Sequence, residues 1–253
     1  MAISLANMTS SLVSPVEKRL FAEYGAIFAT TATPPPVIIF SDATEVEEFQ
    51  SSLPLGQGVF GEHQVRLQSV ALGALVAAAA EMAERGRSIT ARASDAGGRS
   101  YADTVRLWVR NVTRGLEHWQ GLDRISPELA QSIREMSPAD QVSAILNLED
   151  TEQLFFGTFF DKSILYSVAA PGASQHLAML AFDVTEYEDP ETDLVLSRYG
   201  WYRTVPNDLP HFTYLGQEQE SLPSIGLQRV ERINGERVYG FWTPDIDRLL
   251  DIA

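Results

Sequence analysis

The feature that most constrains the fold of this 253-residue chain is the change of pattern between its two halves. Residues 64–85 are rich in Ala and Leu and lack proline, and a second amphipathic helical pattern covers about Tyr101–Trp119. The second half carries short runs of alternating and β-branched residues, which predict strands. Helices first and a mostly antiparallel sheet later predict an α+β fold, with helices packed on a small sheet.

The remaining segments follow from the same periodicities and from their turn residues. Further helices are predicted over residues 17–28, 45–49 (capped by Ser41 or Asp42), 127–148 and 194–199. Strands are predicted over residues 37–40, 87–93, 164–168, 177–184, 212–215 and 237–242, and a loop over residues 94–98. No segment has the composition of a linker, so the chain is interpreted as a single domain over residues 1–253.

The charge distribution argues against a polyanionic partner. The chain carries 34 acidic and 19 basic residues, a formal net charge of −15, and its basic residues are scattered along the sequence. A nucleic-acid surface needs clustered Lys and Arg to displace counterions from phosphates. We therefore predict no nucleic-acid partner, and we interpret the acidity as a contribution to solubility.

The chain contains no cysteine, which excludes disulfides, thiolate catalysis and thiolate-bound metals together. The first twenty residues lack the basic start and long apolar run of a signal peptide. The most apolar later stretch, Val70–Met82, is shorter than the roughly 20 residues of a membrane span. We expect a soluble chain without a membrane span. Its compartment is left open between the cytoplasm and, if the natural protein has an export segment, the cell envelope.

Two of the four histidines have a spacing that suggests a metal site. His176 precedes Asp183 by seven residues in a mostly apolar segment. A straight strand would separate them by about 23 Å and a helix by roughly 10 Å along its axis. Ligands of one zinc ion lie ~2 Å from it. If both residues bind one ion, the chain has to bend between them.

His211 would complete such a site from a later predicted strand, in a Pro-His-Phe-x-Tyr-x-Gly element. With His176 and Asp183 it gives two histidines and one carboxylate, and the fourth position stays open to water. That composition is typical of catalytic zinc sites, because structural sites are closed by four protein ligands. The other histidines, His63 and His118, are interpreted as ordinary packed or surface residues.

The order of these elements resembles the zinc D-alanyl-D-alanine carboxypeptidase/dipeptidase family (VanY/VanX-like). The resemblance rests on a Ser-x-His-x6-Asp segment, a later Gly-Trp pair and the Pro-His element. It implies a zinc peptidase-like fold, with zinc bound by His176, Asp183 and His211. It divides the chain into an N-terminal extension, a core and a C-terminal completion, namely residues 1–63, 64–216 and 217–253.

The resemblance also implies roles for three further residues. An Arg-Ser-Tyr element supplies an arginine, here Arg99, which binds substrate and stabilises the transition state. Ser174, two residues before the first histidine, would contact substrate. The family's catalytic glutamate lies three residues before the last histidine, where this chain has Asp208, the candidate general base. The implied partner is a small peptide ending in a D-amino acid, such as a bacterial peptidoglycan stem peptide or D-Ala-D-Ala.

Four positions depart from the family pattern and leave two hypotheses open. Asp208 is one methylene shorter than the usual glutamate, Met179 stands where the family usually has glycine, Pro210 replaces a tryptophan, and Thr104 replaces a glutamine. The chain is therefore either a metallopeptidase or a non-catalytic zinc- or peptide-binding module on the same scaffold. Two simpler interpretations also stay open: Asp208 as a turn residue, and Arg99 as the ion-pair partner of a nearby carboxylate.

Overall fold

The computed structural model describes residues 14–252, which combine helices with small antiparallel sheets. The predicted α+β class is therefore confirmed. The chain divides into two compact units. The first unit contains the residues up to Ile38, then Glu47–Arg99, then the residues from Gln175 onwards, and the second contains Ile39–Val46 and Ser100–Ser174. Each unit is described by itself, and the single-domain interpretation stays a prediction.

Serine and aspartate caps, often followed by proline, set the starts of most helices. The helices are α1 (Pro15–Tyr24), α2 (Ala43–Ser52), α3 (Ser69–Glu84), α4 (Tyr101–Gly121), α5 (Pro127–Glu135), α6 (Pro138–Glu152), α7 (Pro190–Arg198) and α8 (Ile246–Ile252). Ser14, Ser100, Ser126, Ser137 and Asp189 each accept a hydrogen bond from a backbone N–H of the first turn. The single helix predicted over residues 127–148 is two helices, because Pro138 starts a new one.

Within residues 14–252, seven strands form three separate antiparallel sheets. They are β1 (Leu55–Phe60), β2 (His63–Gln68), β3 (Ala181–Asp183), β4 (Trp201–Tyr202), β5 (His211–Tyr214), β6 (Leu227–Asn234) and β7 (Arg237–Pro244). The pairs β1–β2 and β6–β7 are hairpins, and the third sheet has the order β3-β5-β4. The strands predicted at residues 212–215 and 237–242 are confirmed as β5 and β7.

The helix predicted over residues 64–85 is wrong in its first five residues. Gln64 to Gln68 belong to β2, which pairs with β1 in register from Phe60↔His63 to Leu55↔Gln68. Polar and apolar side chains alternate along this segment, which is the strand period rather than the helix period. The two-residue turn begins at Gly61, whose φ of +66° suits glycine.

Three predicted strands are wrong. In two of them, backbone N–H groups bond to a loop carbonyl or to a side chain instead of to a neighbouring strand. Residues 37–40 follow three prolines and form bends, and the Phe40 N–H donates to the Gly172 carbonyl. Residues 164–166 form a 3₁₀ turn whose first N–H donates to the buried Glu149 carboxylate at 2.7 Å. Residues 87–93 form no strand and contribute one bridge, between Ala91 and Val184.

The second unit is built around the central helix α4. Trp108, Val112 and Leu116 are fully buried along one face of it, as its sequence pattern predicts. Gly115 lets Phe156 pack directly on the helix, because a Cβ at that position would overlap the Phe156 ring. The predicted amphipathic helix is confirmed.

Aromatic side chains fill the interior of the first unit around the central sheet. Phe182 of β3, Trp201 of β4 and Phe212 of β5 are completely buried. The Phe182 ring lies 5.4 Å from that of Phe60, and the Trp201 ring 5.4 Å from that of Tyr214. The sheet therefore sits in a rigid apolar setting, where strand register is strongly specified.

A buried arginine holds the segment that leads into β5. Arg203 donates hydrogen bonds of 2.7 Å to the carbonyls of Leu209 and Tyr187, and its Nε lies 3.2 Å from Asp193 Oδ1. The guanidinium also lies over the Phe212 ring at 4.6 Å. A planar fork with five donors suits this role because it binds two carbonyls and a carboxylate together.

None of the described helices is both long and apolar enough to cross a membrane. Residues 1–13, on which most of the signal-peptide interpretation rests, lie outside the described residues, as does residue 253.

The Arg203 contacts predict a large loss of stability when the fork is removed. Arg203→Leu removes the donors of two part-buried carbonyls, at about 1–3 kcal/mol each, and empties a buried site, so the free energy of unfolding should fall by about 2–5 kcal/mol. Urea denaturation followed by circular dichroism measures this change. The control Arg198→Leu removes an exposed arginine paired with Glu81 and should cost less than about 1 kcal/mol. Equal losses of unfolding free energy in the two variants would show that the Arg203 hydrogen bonds contribute no special stability.

Candidate metal centre

Backbone pairing between β3 and β5 brings two of the predicted ligands together. Asp183 ends β3, His211 begins β5, and the two are direct cross-strand partners. Side chains of such partners stand on the same face of a sheet, with Cβ atoms about 4.5–5.5 Å apart. Strand register alone therefore places the carboxylate beside the imidazole.

A tight turn returns His176 to the same place. Residues 175–179 form turns in which the Met179 N–H donates to the His176 carbonyl and the Leu180 N–H to the Gln175 carbonyl, both at 3.2 Å. Met179 has a φ of +57°, the left-handed conformation in which glycine is usual. The bend required by the spacing of His176 and Asp183 is present, and the strand predicted over residues 177–184 is shortened to β3.

The three side chains form a compact group. His176, Asp183 and His211 each offer a ligand atom, and these atoms lie within 4.8 Å of one another. Asp183 Oδ1 is 3.2 Å from His211 Nδ1 and 3.5 Å from His176 Nε2. In a tetrahedral zinc site with bonds of 2.0–2.1 Å, neighbouring ligand atoms are about 3.3–3.4 Å apart. The two separations from Asp183 are close to that value and the group as a whole lies within 4.8 Å, so the three residues could hold one ion.

Burial and hydrogen bonding hold His176 and Asp183 in their ligating forms. Burial lowers the pKa of His176 and is only partly opposed by the nearby Asp183 carboxylate, so the imidazole is neutral at pH 7. Burial would raise the pKa of Asp183, but hydrogen bonds with His176 and His211 outweigh it and hold that pKa well below its usual range. A neutral imidazole and an ionised carboxylate are the forms that bind metals.

One ring nitrogen of His176 has no hydrogen-bond partner among the described protein atoms. Its side chain is 2% exposed, and its Nδ1 has no hydrogen-bond partner within residues 14–252. A ring proton on Nε2 can donate to Asp183 Oδ1 at 3.5 Å and leaves Nδ1 as a buried acceptor without a described partner. A proton on Nδ1 instead leaves Nε2 available to bind a cation together with the Asp183 carboxylate.

His211 is held on its far side by hydroxyl groups. Its Nε2 lies 3.2 Å from Thr213 Oγ1, which in turn lies 2.7 Å from Thr204 Oγ1. Metal-binding histidines normally make such a hydrogen bond with the nitrogen that does not bind the ion. Neither threonine is among the residues predicted from the sequence. The signal for Thr213 is its position two residues after His211, on the same face of a strand.

The same contacts do not form a nucleophilic triad. Asp183, His211 and Thr213 have the carboxylate–imidazole–hydroxyl order of a hydrolase triad. Thr213 is 0% exposed, however, and its hydroxyl is bonded to Thr204. No substrate carbonyl reaches a hydroxyl so enclosed, which leaves metal binding as the chemistry that fits the group.

Arg99 lies beside this group. Its Nη2 is 3.9 Å from Asp183 Oδ2 and 4.0 Å from Asp95 Oδ2, and 22% of its side chain is exposed. Neither separation is a hydrogen bond. The ion-pair interpretation of Arg99 and the substrate-binding one are both compatible with this position.

The structure does not bring Asp208 into the group. Asp208 is exposed, lies between two turns, and accepts the His211 backbone N–H at its own carbonyl. Its turn role is therefore observed, and its role as general base stays a prediction. Ser174 is buried and ends the second unit, and its contact with substrate also stays a prediction. The packed interpretation of His118 is confirmed, since its ring stacks on Phe160 at 4.0 Å.

Comparison with known proteins gives no match: no protein-family model fits the chain, and no curated protein or solved structure resembles it significantly. The assignment of the centre therefore rests on its residues and their geometry.

The geometry predicts about one tightly bound zinc per chain. His176→Ala and His211→Ala should each abolish tight binding, because two remaining ligands make a poor site. Metal analysis after dialysis against zinc and a competing chelator measures the stoichiometry. His63→Ala, which removes a histidine outside the group, should bind zinc like the wild type. Unchanged zinc content in both His176→Ala and His211→Ala would show that these histidines do not bind the metal.

Proposed function

We propose that this protein is a zinc-dependent peptidase that hydrolyses a peptide bond next to a D-amino acid, in a peptidoglycan stem peptide or D-Ala-D-Ala. The observation that carries the proposal is the convergence of His176, Asp183 and His211 within 4.8 Å. The motif order around these residues supports the substrate class, because it resembles that of zinc D-alanyl-D-alanine peptidases. On this proposal, the sheet β3-β5-β4 is the metal-bearing sheet of a zinc peptidase-like fold.

The composition of the centre favours a catalytic role over a structural one. Two imidazoles and one carboxylate leave a tetrahedral ion with an open position, whereas structural zinc is closed by four protein ligands. Zinc bound there would supply Lewis acidity, which activates water and polarises a scissile carbonyl. The acceptor set of nitrogen and carboxylate oxygen suits zinc among the common divalent ions.

Arg99 would bind the negative charge of the substrate. Its guanidinium stands beside Asp183 at 3.9 Å, and neither nearby carboxylate hydrogen-bonds to it. An always-charged planar fork suits a terminal carboxylate or a developing oxyanion, since either presents two lone-pair directions. Ser174 would add a hydroxyl contact to the substrate, as the resemblance implies.

Asp208 would take the proton from water and pass it to the leaving amine. It lies in the turn before His211, and the His211 backbone N–H bonds to its carbonyl, so the two residues are linked in position. Its shorter side chain has less reach than a glutamate, and misplacement near 1 Å costs about 10²-fold in rate.

A second function is favoured by one observation, the exposure of Asp208 outside the metal group. Without a base at the centre, the same scaffold would bind zinc or a peptide and not cleave it. The decisive experiment incubates zinc-loaded protein with D-Ala-D-Ala and with a pentapeptide ending in D-Ala-D-Ala. Release of D-alanine that stops with chelator and returns with zinc supports the peptidase. Zinc binding without release of D-alanine supports the binding module.

Asp208 variants test the general base. Asp208→Ala should keep zinc bound and lower turnover by about 10²–10⁴-fold, the usual share of acid–base catalysis. Asp208→Glu should keep or raise turnover, because it restores the longer reach. Asp161→Ala changes an exposed aspartate of the other unit and should leave turnover unchanged. Full activity in Asp208→Ala would assign the base to another group.

Arg99→Lys tests the planar fork, because it keeps the charge and loses the paired donors. We expect turnover to fall by about 10-fold or more, with zinc content and unfolding midpoint unchanged. Steady-state hydrolysis, metal analysis and thermal unfolding measure the three quantities. Arg92→Lys, at an exposed arginine over the Tyr187 ring, is the matched control. Wild-type turnover in Arg99→Lys would exclude Arg99 from the reaction.

A further inference from the structure

Two buried threonines lie next to the metal group, on the side of the His211 ring that faces away from Asp183. Thr213 is 0% and Thr204 3% exposed, and their hydroxyl oxygens are 2.7 Å apart. Thr213 Oγ1 also lies 3.2 Å from His211 Nε2. The line therefore runs from Thr204 through Thr213 to the ring nitrogen that faces away from Asp183.

Packing alone does not explain hydroxyl groups at these positions. Valine has almost the same shape as threonine, and a buried hydroxyl costs free energy unless it is hydrogen-bonded. Here the two hydroxyls satisfy each other and reach the imidazole. Thr213 lies in β5 opposite Tyr202 of β4, and Thr204 follows β4 by two residues, so the sheet fixes Thr213 and brings Thr204 next to it.

We infer that Thr213 and Thr204 form a hydroxyl relay that positions His211 for metal binding. The inference rests on the metal centre of the proposed function. With Nδ1 turned to the ion, the single ring proton of neutral His211 is on Nε2. The Nε2–H donates to Thr213 Oγ1, and the Thr213 O–H donates to Thr204 Oγ1. Thr213 and Thr204 are thus positioning residues, which act through His211.

The relay supports one ring orientation that strand register leaves free. A half-turn about the Cβ–Cγ bond would exchange the direction of the ring nitrogens, and a hydroxyl at 3.2 Å on one side and a carboxylate at 3.2 Å on the other select one orientation. An ion bound at Nδ1 would then leave the ring proton on Nε2, where Thr213 accepts it. His176, whose Nδ1 has no partner among the described atoms, lacks this support.

The test compares zinc affinity in three threonine variants by competition with a chromophoric chelator. Thr213→Val should weaken zinc binding by about 10–100-fold, the usual effect of losing such a support, and Thr213→Ser should restore it to within about threefold. Thr204→Val keeps the Thr213 hydroxyl and should weaken binding less. Thr192→Val is the control, because Thr192 is also fully buried in the same unit and its hydroxyl has no described partner.

A spectroscopic measurement separates positioning from general damage. In zinc-loaded protein labelled with ¹⁵N-histidine, His211 should show a protonated Nε2 in the wild type and Thr213→Ser. That signal should shift or exchange rapidly in Thr213→Val. If Thr213→Val does not fold, Thr204→Val decides the question by the same two readouts.

The outcomes distinguish this inference from the proposed function. Folded valine variants that bind zinc like the wild type, with an unchanged His211 signal, overturn the relay and leave the peptidase proposal standing. Loss of affinity in Thr213→Val with rescue by Thr213→Ser supports the relay, even if no peptide is hydrolysed. A wild type that binds no zinc overturns the relay and the metal centre together.

Discussion

The pairing of Asp183 with His211 across β3 and β5 is the contact on which the candidate centre depends. A slip of one residue would turn His211 to the opposite face of the sheet and away from Asp183. The strands are short, and hydrogen bonds beyond them hold the register: Val184 N–H donates to the Pro210 carbonyl at 2.9 Å, and Tyr214 N–H to the Leu180 carbonyl at 2.8 Å. A three-residue strand thus carries a ligand that is fixed in position.

The third ligand depends on a part of the fold that sequence reasoning missed. Gln68, the last residue of β2, binds the loop that carries His176, through its N–H to the Met179 carbonyl and its Nε2 to the Ala178 carbonyl. Those bonds hold Met179 in a left-handed conformation that costs an L-residue roughly 1–2 kcal/mol. Burial of the Met179 side chain, which is 4% exposed, offsets that cost. Methionine therefore serves where glycine would be the usual choice.

Residue chemistry was enough to predict which three side chains converge, and local pattern was enough to predict only some of the strands. The requirement for a bend between His176 and Asp183 follows from distance alone, and α4 follows from its apolar face. The hairpins β1–β2 and β6–β7 have two-residue turns that begin with Gly61 and Gly235. At the first hairpin, the helix-like composition after Gln64 obscured this signal. The apolar run at residues 37–40 could not be distinguished from a strand by its sequence, since its hydrogen-bond partner, the Gly172 carbonyl, is distant in sequence.

Electrostatics explains why a peptide with a carboxylate end could use such a centre in so acidic a chain. The formal charge of −15 disfavours the approach of an anion at long range, but salt screens exposed charges beyond about 8 Å under physiological conditions. Within that distance, a divalent ion and Arg99 would outweigh the charges of Asp183 and Asp95, whose carboxylates lie 3.9 and 4.0 Å from Arg99 Nη2, because histidine binds a metal in its neutral form. The local charge of these groups would then be about +1. On the proposed function, attraction of an anionic substrate would therefore be a short-range property of the centre, without steering by the whole molecule.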